Sequence, residues 1–297
     1  MNPAPTAARL VAALAAALVA VSSAALWIRM AHAGPLAISF YRLLYATVIL
    51  APFALPAARR ELPAVPPRER WLIVGAGVAL AFHFAAWIAS LAPSSPVATS
   101  VAASATLVAV HPALVAAATP WLAGKPFPRR AAPGIALALL GSAVIAWGDR
   151  GGHHRLAGDL LAFLGAVAGA AYFVLGGRLR QRLGLMAYVL PVYGTAAVTL
   201  GLLAALTGES LRITDLREHG LFLVLALGPM ILGHTLLNWA LRYLPAWAVA
   251  TTILAEPIAS TALVFVVLRD APPVTAVVGA LLVLAGLGVV ARGGRAG

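Results

Sequence analysis

Ten apolar segments, each 18 to 26 residues long, follow one another along this chain, separated by short loops rich in Pro, Gly and Arg. A helix needs about 20 apolar residues to cross the hydrocarbon core of a bilayer. The pattern therefore predicts an all-α integral membrane protein. The predicted transmembrane helices cover residues 10–29, 36–56, 71–91, 97–122, 131–148, 159–178, 187–206, 220–241, 246–267 and 274–291.

The composition agrees with a membrane location. Of the 297 residues, 62% are hydrophobic and 10% are charged. A net charge of +12 is also typical of nucleic-acid-binding proteins, but here the basic residues form short clusters between apolar runs. We therefore expect a lipid bilayer and a small-molecule substrate as partners, and no nucleic acid. The chain has no cysteine, which excludes disulfides and cysteine nucleophiles, and no metal or cofactor is expected.

The distribution of Lys and Arg predicts the orientation, because these residues are retained on the cytoplasmic side of a membrane. With the N-terminus inside, 14 of them fall in cytoplasmic segments and six in outer segments. Both termini are then cytoplasmic. Arginine outnumbers lysine twenty to one, which favours a high-GC bacterial source and hence the bacterial cytoplasmic membrane. Cleavage of a signal peptide after Ala31-His32-Ala33 is an alternative, although the first apolar segment is long for one.

A weak internal repeat divides the chain into two halves. The stretch SATLVAVHPAL at 104–114 matches VATTILAEPIA at 249–259 with an offset of 145, which pairs His111 with Glu256 and Pro112 with Pro257. Each copy lies in the fourth predicted helix of its half. Since five helices are an odd number, the two copies would enter the membrane in opposite directions. This pattern predicts a five-plus-five inverted repeat, 1–149 and 150–297, with a substrate site near the membrane midplane.

Four stretches carry a resemblance to a known family: ISFYRLLYA around Arg42, AFHFAAWIASL, GHTLLNWALRYLPA, and AEP in the ninth span. On these the chain resembles the ten-helix EamA-like transporters of the drug/metabolite transporter superfamily. The resemblance implies transport of a small solute, usually export from the cytoplasm. Related proteins often carry Gly-Glu in two loops where this chain has Gly124-Lys125 and Arg269-Asp270, so no role is transferred to those loops.

Glu256 is the leading candidate for a functional group. A charged side chain at the bilayer centre is costly and usually faces a cavity or a partner. Helical spacing would put Thr252, Glu256 and Ser260 on one face, and Pro257 would free the carbonyl of Ile253. A carboxyl that gains and loses a proton there can exchange it for substrate, which makes Glu256 the candidate for proton coupling. The alternative is a Glu that only cross-links helices.

Arg42 also admits two interpretations. It lies near the predicted outer end of its helix, from where its side chain can reach the interface. Alternatively, it is a fixed positive charge in a central cavity. In that case Glu256 would hold it in one state and a substrate carboxylate or phosphate in another, because a guanidinium suits such anions.

The other candidates for cavity lining are polar or aromatic residues in the predicted spans. His234 and Asn238 form a stripe that leads toward the cytoplasmic face, and they line a vestibule or act as hydrogen-bond partners between helices. The remaining polar candidates likewise line the cavity or form hydrogen bonds between helices. The aromatic candidates form walls of the cavity or only pack between helices. The polar candidates are His83, Ser104 and His111, and the aromatic ones are Tyr41, Tyr45, Trp87, Tyr193 and Trp239.

Rival functions belong to other classes. Efflux of cationic drugs would need unpaired intramembrane carboxylates, and the one present is matched by Arg42. An integral membrane enzyme is not expected, because neither an HExxH pair nor a GxSxG elbow occurs, and His153-His154 is interpreted as an incidental loop pair. A structural protein without transport activity would leave the repeat unexplained. The sequence leaves monomer and homodimer equally open.

Overall fold

The computed structural model describes residues 5–99, 101–123, 129–148, 156–268 and 274–293. Every regular element in this part of the chain is a helix. The α-helices are α1 (Ala7–Ser22), α2 (Ala24–Met30), α3 (Pro35–Glu61), α4 (Pro67–Leu91), α5 (Val101–Val108), α6 (His111–Ala123), α7 (Ala132–Gly148), α8 (Leu156–Leu179), α9 (Leu185–Thr207), α10 (Leu216–Leu225), α11 (Thr235–Ala240), α12 (Ala246–Thr252), α13 (Glu256–Leu268) and α14 (Val274–Gly293).

The prediction of a multi-helix membrane protein is confirmed. Within the described ranges, seven helical segments are long and apolar enough to cross a bilayer: Ala7–Met30, Pro35–Ala64, Pro67–Leu91, Leu156–Leu179, Leu185–Thr207, Leu216–Ala240 and Ala246–Val267. Large apolar side chains such as Phe53, Trp71 and Leu206 are exposed on the outside of the bundle, as expected for contact with lipid.

The other three predicted spans contain shorter apolar helices. These are Ala103–Ala118, Ala132–Gly141 and Val277–Val289, which lie within the predicted spans 97–122, 131–148 and 274–291. The count of ten transmembrane helices therefore stays a prediction.

Small residues allow the main helix pairs to approach closely. The largest contacts pair α3 with α9, α4 with α8 and α7 with α14. A side chain at Gly141 would lie 2.5 Å from the carbonyl oxygen of Gly279, and one at Gly286 would lie 2.5 Å from that of Gly134. Backbones this close need glycine at the contact, as is common where helices pack within a membrane.

Four of the helical segments are interrupted near the middle of the bundle. α1 passes into α2 at Ser23, α5 stops before α6, a 3-10 turn (Ile253–Ala255) separates α12 from α13, and a π-helical stretch (Ala226–His234) joins α10 to α11. π-helical stretches and 3-10 turns inside helices often mark functional sites.

The second and third of these interruptions correspond to each other. α6 begins at His111 and α13 at Glu256, which are 145 residues apart, the offset of the sequence repeat. Pro112 and Pro257 are the second residues of these helices, where a missing N–H removes no hydrogen bond. The two prolines therefore begin helices, whereas the predicted spans 97–122 and 246–267 were continuous through them.

Candidate functional site

The interrupted helices surround a small cavity with a volume of about 30 Å³. Its walls come from α1, α2, α3, α4, α5, α6, α8, the π-helical stretch, the 3-10 turn and α13. The lining residues are Val21, Ala24, Arg42, His83, Trp87, Val108, His111, Phe173, Pro229, His234, Ile253 and Glu256. The cavity thus combines an apolar wall with one basic, one acidic, one indole and three imidazole side chains.

Six residues singled out from the sequence meet in this cavity: Arg42, His83, Trp87, His111, His234 and Glu256. They lie up to 214 positions apart in the chain, so the fold and not the local sequence brings them together.

Arg42 lies in α3 and is fully buried, with 0% of its surface exposed. Its guanidinium carbon is 3.9 Å from the centroid of the Phe84 ring, a cation–π contact between α3 and α4. None of the three guanidinium nitrogens has a hydrogen-bond partner in the described part of the chain. This burial does not fit a side chain that reaches toward the membrane surface.

Two of the three histidines are held by backbone carbonyls. Nδ1 of His83 is 2.8 Å from the carbonyl oxygen of Gly165, and Nδ1 of His111 is 2.8 Å from that of Val108. Because a carbonyl oxygen only accepts, Nδ1 is the donor in both rings, and Nε2 of a neutral ring is an acceptor. Nε2 of His111 has no partner among the described residues.

His234 packs against two rings of α4. Its ring is 5.1 Å from that of Phe84 and 6.4 Å from that of His83, measured between centroids. Its Nδ1 has no hydrogen-bond partner within the described ranges. The last residue of the π-helical stretch therefore presents an unsatisfied ring nitrogen at the cavity.

Glu256 is the first residue of α13 and is 6% exposed. It lines the same cavity as Arg42, yet no hydrogen bond or ion pair joins these two described side chains. Thr252 is half-buried and does not line the cavity, because the 3-10 turn before Glu256 changes the helical register. Ser260, one turn after Glu256 in α13, does not line the cavity and donates to the carbonyl oxygen of Ser22 at 3.1 Å, which ties α13 to α1.

Asn238 and Tyr193 form a hydrogen-bonded layer beside the cavity. Nδ2 of Asn238 is 2.6 Å from the hydroxyl of Tyr172 and 3.3 Å from that of Tyr193. The Tyr193 hydroxyl is also 3.1 Å from Oγ1 of Thr235. Asn238 is fully buried, so in this conformation it links helices α8, α9 and α11 and does not line the cavity.

The remaining predicted residues lie elsewhere. Ser104 shares a hydrogen bond of 2.7 Å with Ser90, which joins α5 to α4. Tyr41 and Tyr45 pack around His219 of α10, with the Tyr45 hydroxyl 2.6 Å from its Nδ1. Trp239 packs against Tyr243, and the guanidinium carbon of Arg9 lies 5.9 Å from the centroid of the Trp239 ring. Their functional roles stay predictions.

Several cavity residues gave no signal in the sequence. Val21, Ala24, Val108 and Ile253 are ordinary apolar residues, and only the position of the helix interruptions brings them to the wall. Phe173 stacks on His111 with ring centroids 5.4 Å apart. In a run of alanine, glycine and aromatic residues, the sequence does not distinguish an aromatic ring that lines a cavity from one that only packs between helices.

No metal site is formed by the described residues, among which no group of three or more His, Cys, Asp or Glu side chains is placed to hold an ion. The loop pair His153-His154, like Gly124-Lys125 and Arg269-Asp270, lies outside the described ranges.

Comparison with known proteins places this architecture in a family. A family model described as the EamA-like transporter family matches the sequence twice, over residues 7–147 and 156–292. A solved structure described only as the crystal structure of a protein has the same fold, with a TM-score of 0.76. It is 20% identical in sequence, and the match covers 98% of this chain and 99% of that one, so it is similar in fold alone. No curated protein matches the sequence.

Proposed function

The chain belongs to the EamA-like transporter family, and we propose that it is a secondary transporter that exports small metabolites, such as amino acids, by alternating access. The observation that carries the proposal is the cavity between Arg42, the three histidines and Glu256. Secondary transporters bind their substrates where discontinuous helices meet near the bilayer midplane. Here the cavity lies at such interruptions, and both halves of the chain contribute polar side chains to it.

The proposed topology is ten helices in two inverted halves, 1–149 and 150–297. The helix pairing supports it. The second predicted span packs on the seventh as α3 on α9, and the fifth on the tenth as α7 on α14. The third span packs on the sixth, as α4 on α8. When the two halves are exchanged, this pair becomes the eighth and the first spans, and these are in contact through the π-helical stretch and α1. Exchange of the two halves leaves this set of pairs unchanged, as a two-fold axis requires.

The proposed location is the bacterial cytoplasmic membrane, with both termini in the cytoplasm. The turn with Arg180 and Arg182 lies beside Glu61 and Glu69, and together with Arg59, Arg60, Arg68 and Arg70 this region forms the basic end of the bundle. By the positive-inside rule the basic end faces the cytoplasm.

Glu256 is the proposed coupling group. It is the first residue of α13, directly after the 3-10 turn, and it lines the cavity without an ion pair to another described side chain. A carboxyl in that position can take up a proton in one orientation of the protein and release it in the other when solute binds.

The test is efflux from proteoliposomes loaded with a mixed pool of small metabolites, read by mass spectrometry with and without a pH gradient. We expect wild type to release particular solutes in a pH-dependent way and Glu256→Gln to lose that dependence. Glu69→Gln is the matched control, because Glu69 pairs with Arg182 at the basic end, away from the cavity. Equal release by wild type and Glu256→Gln would contradict the coupling role. No release by well-folded wild type would contradict transport.

A further inference from the structure

We infer that the cavity binds its solute by an oxyanion, a carboxylate or a phosphate group, that the guanidinium of Arg42 holds. The inference rests on the proposed function, since the bound solute is the one that is transported. It assigns to the solute a chemical class that the family membership does not give.

The guanidinium of Arg42 is buried without hydrogen-bond partners among the described residues. Its three nitrogens carry five N–H donors, the side chain is 0% exposed, and none of the nitrogens has a hydrogen-bond partner within the described ranges. Burial of a charged group is unfavourable unless it is paired and hydrogen-bonded. A planar fork of N–H groups matches the two oxygens of a carboxylate or phosphate. In this conformation the described residues supply no acceptor, so the N–H donors of Arg42 are available to an acceptor that enters the cavity.

Nearby side chains hold Arg42 in place without accepting hydrogen bonds from it. Phe84 provides a cation–π contact at 3.9 Å but no acceptor. Glu256 lines the same cavity, yet it forms no ion pair with Arg42 in this conformation. The guanidinium is thus held in place with its N–H donors free. A group that binds a solute needs free donors, whereas a residue that only links helices would use its donors on the neighbouring helix.

The cavity presents both hydrogen-bond donors and acceptors to a solute. Nε1 of Trp87 is a second buried donor with no partner among the described residues, and it lines the cavity with Arg42. Glu256 and Nε2 of a neutral His111 supply acceptors in the same cavity. A solute that carries both an oxyanion and a hydrogen-bond donor fits this combination of groups. A cationic drug would be repelled by Arg42 in the same cavity.

The experiment compares acids with uncharged analogues that lack the oxyanion. Purified protein in nanodiscs is titrated with N-acetylleucine and N-acetylleucinamide, succinate and succinamide, and glycerol phosphate and glycerol, with binding read from the rise in unfolding temperature. We expect at least one acid to bind wild type about tenfold or more tightly than its neutral analogue, because hydrogen bonds to charged groups are the stronger ones. The pair that responds distinguishes carboxylate from phosphate.

Three variants test the role of Arg42. Arg42→Gln should abolish the preference for the acid. Arg42→Lys, which keeps the charge but loses the fork, should reduce it and shows that the loss is not a folding defect. Arg178→Gln removes an exposed arginine and should keep the preference. Equal affinity of wild type for every acid and its analogue, or an acid preference that survives in Arg42→Gln, overturns the inference.

The outcomes separate this inference from the proposed function. Efflux of solutes without any preference for oxyanions would leave transport intact and remove the role of Arg42. Binding of acids that depends on Arg42, without efflux, would support the oxyanion site and contradict transport.

Discussion

Glu61 and Glu209 perform the same task at opposite ends of one helix pair. Glu61, the last residue of α3, accepts a hydrogen bond of 2.6 Å from the backbone N–H of Gly184, which precedes α9. Glu209, two residues beyond the end of α9, accepts one of 2.9 Å from Ala37 in the first turn of α3. Each carboxylate satisfies free N–H groups and faces the positive dipole end of the other helix. The pair α3 and α9 is thereby fastened at both ends.

The capping carboxylates, and not backbone conformation, restrict the space for a side chain at Gly34 and Gly184. A side-chain carbon at Gly34 would overlap Oε1 of Glu209, and one at Gly184 would lie 2.8 Å from Oε1 of Glu61, so each carboxylate would have to shift. We therefore expect Gly34→Ala and Gly184→Ala each to displace a cap and to lower the free energy of unfolding by about 1 kcal/mol. Chemical unfolding in detergent micelles measures the change.

Gly220→Ala is the matched control for these caps. Gly220 lies inside α10 with no atom near the position of an added carbon, so alanine there should stabilise the helix by up to about 1 kcal/mol. In a Glu209→Ala background the clash is gone, and Gly34→Ala should then cost nothing further. A Gly34→Ala protein as stable as wild type would contradict the capping role of Glu209.

Arg180 closes the basic end by binding carbonyl groups. Its Nε donates to the carbonyl oxygen of Asn238 at 2.9 Å, and its Nη1 donates to that of Leu183. Burial, with a smaller contribution from Arg242, lowers the pKa of Arg180 to about 10, so the side chain is still charged at neutral pH. Arg180→Ala leaves buried carbonyls without a donor and should cost about 1 to 3 kcal/mol in unfolding free energy.

The control for Arg180 is its exposed neighbour Arg178. Arg178→Ala removes the same charge two residues away and should change the unfolding free energy by no more than about 0.5 kcal/mol. Arg180→Lys should fall between the two, because an ammonium cannot reproduce the fork. Equal stability of the two alanine variants would show that the carbonyl contacts contribute nothing.

The hydrogen bond between Asn238 and Tyr172 should be measurable by a double-mutant cycle. Tyr172→Phe and Asn238→Leu remove one partner each, and we expect a coupling energy of about 0.6 kcal/mol, with about 1.7 kcal/mol as the upper end for bonds inside a membrane. Tyr188→Phe is the control, because the buried Tyr188 hydroxyl has no partner in the described part of the chain. It should be neutral or stabilising. If Tyr172→Phe is as benign as Tyr188→Phe, the bond contributes no stability.

The helices were predictable because a long apolar run is a local property of the sequence. Their interruptions were less so. Pro112 and Pro257 are compatible with a kink inside a helix or with the start of a new one, and packing around the cavity decides between the two. Thr252 shows the consequence, since an ideal helix puts it beside Glu256 and the 3-10 turn does not.

The candidate site was predictable where the residue type itself is costly inside a membrane. Arg42, Glu256 and the three histidines attract attention at any depth in a bilayer, and the structure brings all five to one cavity. The carboxylates of Glu61, Glu209 and Glu218 carried no such signal, because they lie at or near helix ends outside the predicted spans and accept hydrogen bonds from distant backbone. Glu218, for example, accepts hydrogen bonds from His32 and Ala33, about 185 residues earlier in the chain.

The absence of cysteine makes the proposed topology directly testable, because wild type is its own unlabelled control. Single cysteines at Ala8, Ala64, Thr214 and Arg292 occupy exposed positions. In intact cells a membrane-impermeant maleimide should label Thr214→Cys and leave the other three unlabelled until the membrane is opened. Arg292→Cys is the decisive variant, since an even number of spans puts it on the same side as Ala8→Cys. Labelling of Arg292→Cys from outside would contradict the ten-helix topology, and loss of Ala8→Cys from the mature protein would instead indicate cleavage after Ala33.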